Sequence, residues 1–157
     1  MLGRKTKSSQ EYDIESLSID HKPELPSEKA RIVSKNGRVE PYKTPRGEAI
    51  GPPRVWLKAK DVPGLGMSRA MGDTVAASVG VIAEPEILVR DLGPEEKILI
   101  VGSDGLWEFI SNTEAVKIAS AFSDPNRAAE HLVKEAQKRW RQREEIVDDT
   151  TAVVVYL

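Results

Sequence analysis

Two short runs of branched apolar residues, "KILIVG" at 97–102 and "TAVVVYL" at 151–157, constrain this chain most, because neither has the period of a helix. The first is an unbroken apolar run, the pattern of a strand covered on both faces. It stops on Ser103-Asp104-Gly105 and passes at once into the aromatic, helix-like "LWEFI". The second run follows directly on Asp148-Asp149-Thr150. If the two strands are antiparallel neighbours, the end of one lies beside the start of the other. Asp104, Asp148 and Asp149 then converge on one rim of a sheet.

Carboxylates gathered in this way repel one another unless a cation neutralises them. A hard divalent ion such as Mg²⁺ or Mn²⁺ suits an all-oxygen site. Ser-Asp-Gly is equally ordinary turn chemistry: Asp104 can cap a helix starting near Leu106, and Asp148 and Asp149 can be solvated turn residues. Spacing alone leaves both readings open.

Between the runs the pattern is helical. "SNTEAVKIASAF" opens with Ser111 and Glu114 at capping-box spacing. A second helix has Asp124 as cap and Pro125 in its first turn. Ala128, Leu132, Ala136 and Trp140 form one apolar stripe, with Ala129 and Val133 beside it. Lys134, Lys138, Arg139, Arg141 and Arg143 read as the solvated face, and Glu130, Glu135, Glu144 and Glu145 dilute their charge. Ahead of the first run, "ASVGVIAEPEILVRDL" predicts two short β-type runs broken at Glu84-Pro85, then a turn at "GPEE".

Residues 1–64 are polar and hold Pro23, Pro26, Pro41, Pro45, Pro52, Pro53 and Pro63. Only short elements are expected there: a half-buried strand in "IESLSID", a helix in "PSEKARIVSKNG" capped by Ser27 and followed by Gly37, and extended segments in "GRVEPY" and "PRVWLK".

Charge and length exclude several function classes. With 23 basic and 25 acidic residues, a formal net of −2, the chain lacks the basic surplus that nucleic acid or an anionic membrane favours. No cysteine is present, so disulfides and thiolate zinc sites are excluded, and a metal must sit on oxygen or on one of 2 histidines. "MLGRKTKSSQEY" has no apolar segment of a secretory signal, and the apolar runs are too short to cross a bilayer. A soluble cytoplasmic or nuclear chain is expected.

Read in order, "LSIDHKPELPSEKARI", "GRV", "RVWLK", "PGLGMSRAMGD", "GVIAEPEI", "ILIVGSDGLWEFIS" and "DDTTAVVVYL" resemble the metal-dependent protein serine/threonine phosphatases, the PP2C family, from about Leu17 to the C-terminus. The resemblance implies an α+β fold, part of a four-layer α-β-β-α sandwich of two mainly antiparallel sheets with helices outside. It implies hydrolysis of phosphoserine and phosphothreonine in phosphoproteins by a water activated at a site for two Mg²⁺ or Mn²⁺ ions. Asp104 matches the family's metal-binding aspartate at a strand end. Asp148 matches the aspartate of the "D-N-x-T" motif, with Thr151 in the threonine place and Asp149 where the family has asparagine. "SRAMGD" matches a loop near the active site, in which Arg69 and Asp73 support the loop or form an internal salt bridge. Residues 23–63 fall where the family carries a variable flap beside the substrate cleft. His21 has no catalytic counterpart, so a structural hydrogen bond is expected of it.

The family's "DGHGG" segment, with its bridging aspartate and proposed acid, and its phosphate-binding arginine have no match here. The chain is therefore expected to correspond to the C-terminal half of one phosphatase domain and to be inactive alone. It would pair with the missing half or with itself through uncovered strands. The competing reading is a non-catalytic phosphatase-like binding or regulatory module.

Overall fold

The computed structural model describes residues 1–5 and 12–157, so residues 6–11 of the N-terminal segment read above lie outside the described residues. In chain order the elements are β1 (Leu2–Arg4), β2 (Asp13–Glu15), α1 (Pro26–Ser34), β3 (Gly37–Lys43), β4 (Ala49–Leu57), β5 (Lys60–Leu65), α2 (Thr74–Ala77), β6 (Glu96–Gly102), α3 (Asp104–Trp107), α4 (Asn112–Ala119), α5 (Pro125–Arg143) and β7 (Ala152–Tyr156). They fall into two compact units, Met1–Ser18 with Leu88–Leu157, and Ile19–Ile87. Each unit has its own antiparallel sheet, helices and apolar core, in keeping with the expected α+β class.

In the first unit the sheet runs β2-β1-β6-β7, antiparallel throughout. Ile98, Ile100 and Val154 point to one face and pack with Leu106, Ile110, Ala115, Val116, Ala128, Leu132 and Ala136. The helices start where their caps direct. Ser111 and Glu114 form the full reciprocal capping box of α4, and the Asp124 side chain accepts from Asn126 N–H ahead of Pro125 in α5. The Tyr156 hydroxyl lies 2.7 and 2.9 Å from the carbonyls of Ala119 and Phe122, tying β7 to the end of α4.

Three expectations are corrected. β6 is not covered on both faces: Val101 is 56% exposed, so the strand alternates although its sequence does not. Residues 83–92 form no strand, and Ile87, Leu88 and Val89 are exposed; Pro85 offers no N–H, and no described strand pairs with the segment. Arg139 is not a solvated cation of α5. It donates to the Phe109 carbonyl (2.6 Å) and bridges Glu135 (3.0 Å) and Glu114 (3.1 Å), joining α5 to α4.

The second unit is more regular than its prolines suggest, with a sheet ordered β3-β4-β5. Pro41 sits at the register shift between Glu40 and Tyr42, Pro52 and Pro53 have no ladder partners, and Pro63, opposite Trp56, stands on the outer strand β5 beside register shifts, the places where a strand tolerates proline. Ile32, Val55, Ala76, Val79 and Val81 form the core. Ser27 does not cap α1: Pro26 occupies the first turn and Leu25 the cap position, without a side-chain hydrogen bond. Asn36 takes the left-handed turn after the helix (φ 62), and Gly37 is needed because a Cβ there would lie 2.5 Å from Ile32 Cγ2.

Candidate functional site

The strand pair supposed from the sequence is present: Val101 lies opposite Val153 and Gly102 opposite Ala152, antiparallel. Contact continues past the ladder. Ser103 N–H donates to the Thr151 carbonyl (3.1 Å), Thr151 N–H donates to Ser103 Oγ (3.1 Å), and Ser103 Oγ–H donates to the Asp149 carbonyl (3.2 Å). The approach is so close that a Cβ on Gly105 would lie 2.3 Å from the Asp149 carbonyl oxygen. Glycine is thus required by space. The Gly105 carbonyl accepts from the Trp140 indole N–H (2.8 Å) and the Thr150 hydroxyl (3.3 Å), and the Trp107 indole N–H donates to the Gly102 carbonyl (2.9 Å). Phe109 meets Trp140 edge-on at 4.7 Å. Two tryptophans from α3 and α5 therefore brace the rim on which Asp104, Asp148 and Asp149 stand.

All three carboxylates are exposed. Asp104 is the first residue of α3, with Ser103 at the cap position, so it does not cap a later helix. Its Oδ1 accepts from Gly105 N–H (3.1 Å), and Asp148 Oδ1 accepts from Asp149 N–H (2.9 Å). Asp104 and Asp148 thus each make a local turn hydrogen bond, and the chain brings their backbones to one sheet end as well. Among the described residues no Lys, Arg or His forms a salt bridge with any of the three. The donors fit a hard divalent cation in kind. They fall short in number, since the described residues hold no group of three or more potential ligands placed around one ion. Asp148 also lines an open groove with Trp140, Glu144, Glu145 and Ile146.

Arg69 and Asp73 belong to the second unit, and neither partners the other. Asp73 accepts from Ala76 N–H (2.8 Å) and caps α2. The internal loop salt bridge is not formed: Arg69 pairs instead with Glu28 (2.9 Å) and Glu86 (3.5 Å), outside the loop, and donates to the Glu84 carbonyl (2.8 Å). Glu28, which the sequence reading passed over, is 2% exposed. It accepts from both ends of the Arg31 guanidinium (2.8 and 2.6 Å), from Arg69 and from the Ser68 hydroxyl. Arg31, then Arg69 and Ser68, outweigh burial and hold its carboxyl well below the usual carboxylate range. The signal for it was the three-residue spacing from Arg31 on a helix. His21 departs from expectation: its Nε2 is buried without a hydrogen-bond partner among the described residues, 3.6 Å from Glu86, and its backbone carbonyl instead accepts from Ser68.

Residues 1–144 match the family model for Protein phosphatase 2C, which stops four residues short of Asp148. The chain is 39% identical over 143 residues to "Probable protein phosphatase 2C 73" of Oryza sativa subsp. japonica, covering 90% of this chain and 33% of that protein. It is 36% identical over 159 residues to "Probable protein phosphatase 2C 65" of Arabidopsis thaliana, covering 100% of this chain and 40% of the relative. Among solved structures, the serine-threonine phosphatase 2C from Toxoplasma gondii superposes with a TM-score of 0.81 at 26% identity, over 99% of this chain and 50% of its own. The chain therefore spans 33% to 40% of these two curated relatives.

Proposed function

The chain belongs to the protein phosphatase 2C family, and from that premise we propose that it supplies part of the catalytic centre of a metal-dependent phosphoserine/phosphothreonine protein phosphatase. The observation that carries this reading is the β6–β7 register, which sets Asp104 and Asp148 at one sheet end with no basic side chain paired to either among the described residues. Asp104 and Asp148 would each offer carboxylate oxygens to Mg²⁺ or Mn²⁺, and Asp149 adds a further negative charge beside them. Such an ion, when bound, neutralises phosphoryl oxygens and makes a water more acidic. The protein's own part is positional. Ser103, Gly105 and Thr150 fix the two loops against each other, and Trp140 holds the Gly105 carbonyl. The segment 23–63 would border the substrate as a flap. Neither an arginine for the phosphate nor a histidine acid can be assigned to the rim, so the chain alone is proposed to turn over at least about a thousandfold slower than a complete domain.

The absence of a three-ligand group among the described residues favours, as the second reading, a non-catalytic module that binds phosphoproteins. Mn²⁺ titration by electron paramagnetic resonance, run beside a phosphopeptide hydrolysis assay, separates the two. The first reading expects weak Mn²⁺ binding that disappears in Asp104→Asn and in Asp148→Asn. Binding unchanged in both variants refutes the metal assignment. Near-normal turnover by the unmodified chain refutes its dependence on further residues.

A further inference from the structure

The chain has 3 asparagines, Asn36, Asn112 and Asn126, and the fold holds one of them differently from the others. Asn112 and Asn126 stand in the first turns of α4 and α5, where the caps Ser111 and Asp124 fix the main chain. The Asn112 amide also donates to the Ser16 hydroxyl (3.4 Å). Each of the two is followed by a residue with a bulky side chain, Thr113 and Arg127. Asn36 lies in the corner between α1 and β3, and its successor is Gly37. Among the described residues it is the one non-glycine residue with a positive φ (62°), and it is exposed. Its main-chain N–H donates to the Val33 carbonyl (3.0 Å), whereas its side-chain amide has no hydrogen-bond partner among the described residues.

An asparagine amide is open to attack by the main-chain nitrogen of the residue that follows it. Here the Gly37 nitrogen would lose its proton to hydroxide and bond to Cγ of Asn36. The side-chain Cγ–N bond breaks, and the nitrogen leaves as ammonia with a proton taken from water, which restores the hydroxide. The product is a five-membered succinimide. Water opens that ring at either of its two carbonyls, giving aspartate or isoaspartate, so the sum is one water consumed and one ammonia released. Ring closure turns the following residue in toward the side chain, where a Cβ obstructs it. Glycine has none.

We propose that Asn36-Gly37 is a site of spontaneous deamidation in the folded chain, converting to aspartate and isoaspartate while Asn112 and Asn126 stay intact. The conversion has a structural consequence. Either product sets a carboxylate just past the C-terminal end of α1, where the helix carbonyls disfavour negative charge. Isoaspartate also routes the main chain through its own Cβ and adds one atom to the path from α1 to β3. The corner has no room for it: a Cβ on Gly37 would lie 2.5 Å from Ile32 Cγ2 and 3.0 Å from the Val79 carbonyl oxygen. Ile32 and Val79 belong to the core of this unit, and Gly37 opens the β3 ladder opposite Leu57. Strain at this one corner therefore reaches both the core and the strand register. Neither a metal nor a partner enters this chemistry.

The test is incubation of the full 157-residue chain in mildly alkaline buffer, followed by peptide mapping with mass spectrometry. The Asn36 peptide should gain the mass of an amide-to-acid exchange, divided between aspartate and isoaspartate forms, at a rate proportional to hydroxide concentration. It should do so at least about tenfold faster than the Asn112 or Asn126 peptide. Asn36→Gly removes the reacting amide and suits the positive φ, so it should keep the fold and abolish the mass gain. The isoaspartate form, separated by ion exchange, should melt about 5 °C below the parent chain. An Asn36 peptide that stays unchanged, or that reacts no faster than the other two, overturns the proposal. So does conversion seen only in urea, because the folded corner then shields the amide. An isoaspartate form that melts with the parent overturns the structural consequence.

Discussion

Replacing Gly105 with alanine tests whether the rim is built by close approach of two loops. A Cβ at this position would sit 2.3 Å from the Asp149 carbonyl oxygen, 3.0 Å from its carbonyl carbon and 2.9 Å from Thr150 Oγ1. Ordinary contact begins near 3.4 Å, so the 148–150 loop must retreat by about 1 Å, and the atoms in the way are mostly backbone. Overpacking of this kind costs about 1–3 kcal/mol. Retreat also loosens the hydrogen bonds of Ser103 to Asp149 and of Thr150 to Gly105, at about 0.5–1.5 kcal/mol each. The expected loss is about 2–4 kcal/mol, a melting temperature lower by about 5–15 °C for a chain of this size. Mn²⁺ binding should weaken in parallel, because Asp104 and Asp148 are carried apart. The opposite sign is just as definite. Gly105 lies inside α3, where alanine is favoured by up to about 1 kcal/mol if space allows. A melting temperature equal to or above that of the parent chain would refute the close approach.

Two further substitutions probe what holds the elements together. Glu28→Ala leaves the Arg31 and Arg69 guanidinium groups facing each other without their carboxylate and should destabilise by about 2–4 kcal/mol, read as a shift in the urea midpoint. Because the folded-state pKa of Glu28 is depressed, its contribution is fully present above the unfolded value and is lost as pH falls below about 4.3. The parent chain should therefore lose stability in acid more steeply than Glu28→Gln, and parallel pH profiles would contradict this. Arg139→Ala breaks the bridge from α5 to Glu114 and the Phe109 carbonyl and should destabilise by about 1–2 kcal/mol. Arg139→Lys should recover little, since one ammonium cannot span those acceptors, and an unchanged melt for Arg139→Ala would return the residue to the solvated face.

What the sequence made legible was what local chemistry encodes. Ser111 with Glu114, Asp124 with Pro125, and the Ala128–Leu132–Ala136 stripe each carry their signal within a few residues, and each is realised as read. The β6–β7 pair was inferable because the first run ends on turn residues and the second begins directly after such residues. Elements defined by partners far along the chain were not legible. β1 is three residues long and exists through its pairing with Leu99, Ile98 and Glu96, which no window around Leu2 contains. The run 83–92 fails in the opposite direction, having strand composition but no strand to pair with among the described residues. Arg139 was misread because i,i+4 spacing to Glu135 is compatible with a solvated pair, and only the approach of α4 buries it.

The same distinction bears on the candidate site. Three exposed carboxylates repel only weakly in water, about 1 kcal/mol for a pair 4 Å apart. The hydrogen bonds of Ser103, Thr150 and Trp140 that hold the rim run to main-chain carbonyls and use none of the carboxylate oxygens. On the proposed metal reading the ligand oxygens and the rim-forming groups are thus separate, unlike a structural zinc site whose ligands assemble around the ion. That separation bears on the proposed affinity: two solvated carboxylates bring charge but displace few waters, so they would hold Mg²⁺ or Mn²⁺ loosely until further oxygen donors close the shell. The β6–β7 register and the close approach at Gly105 thus set Asp104 and Asp148 at one end of the sheet, and the proposed ion would need donors beyond these two for tight retention.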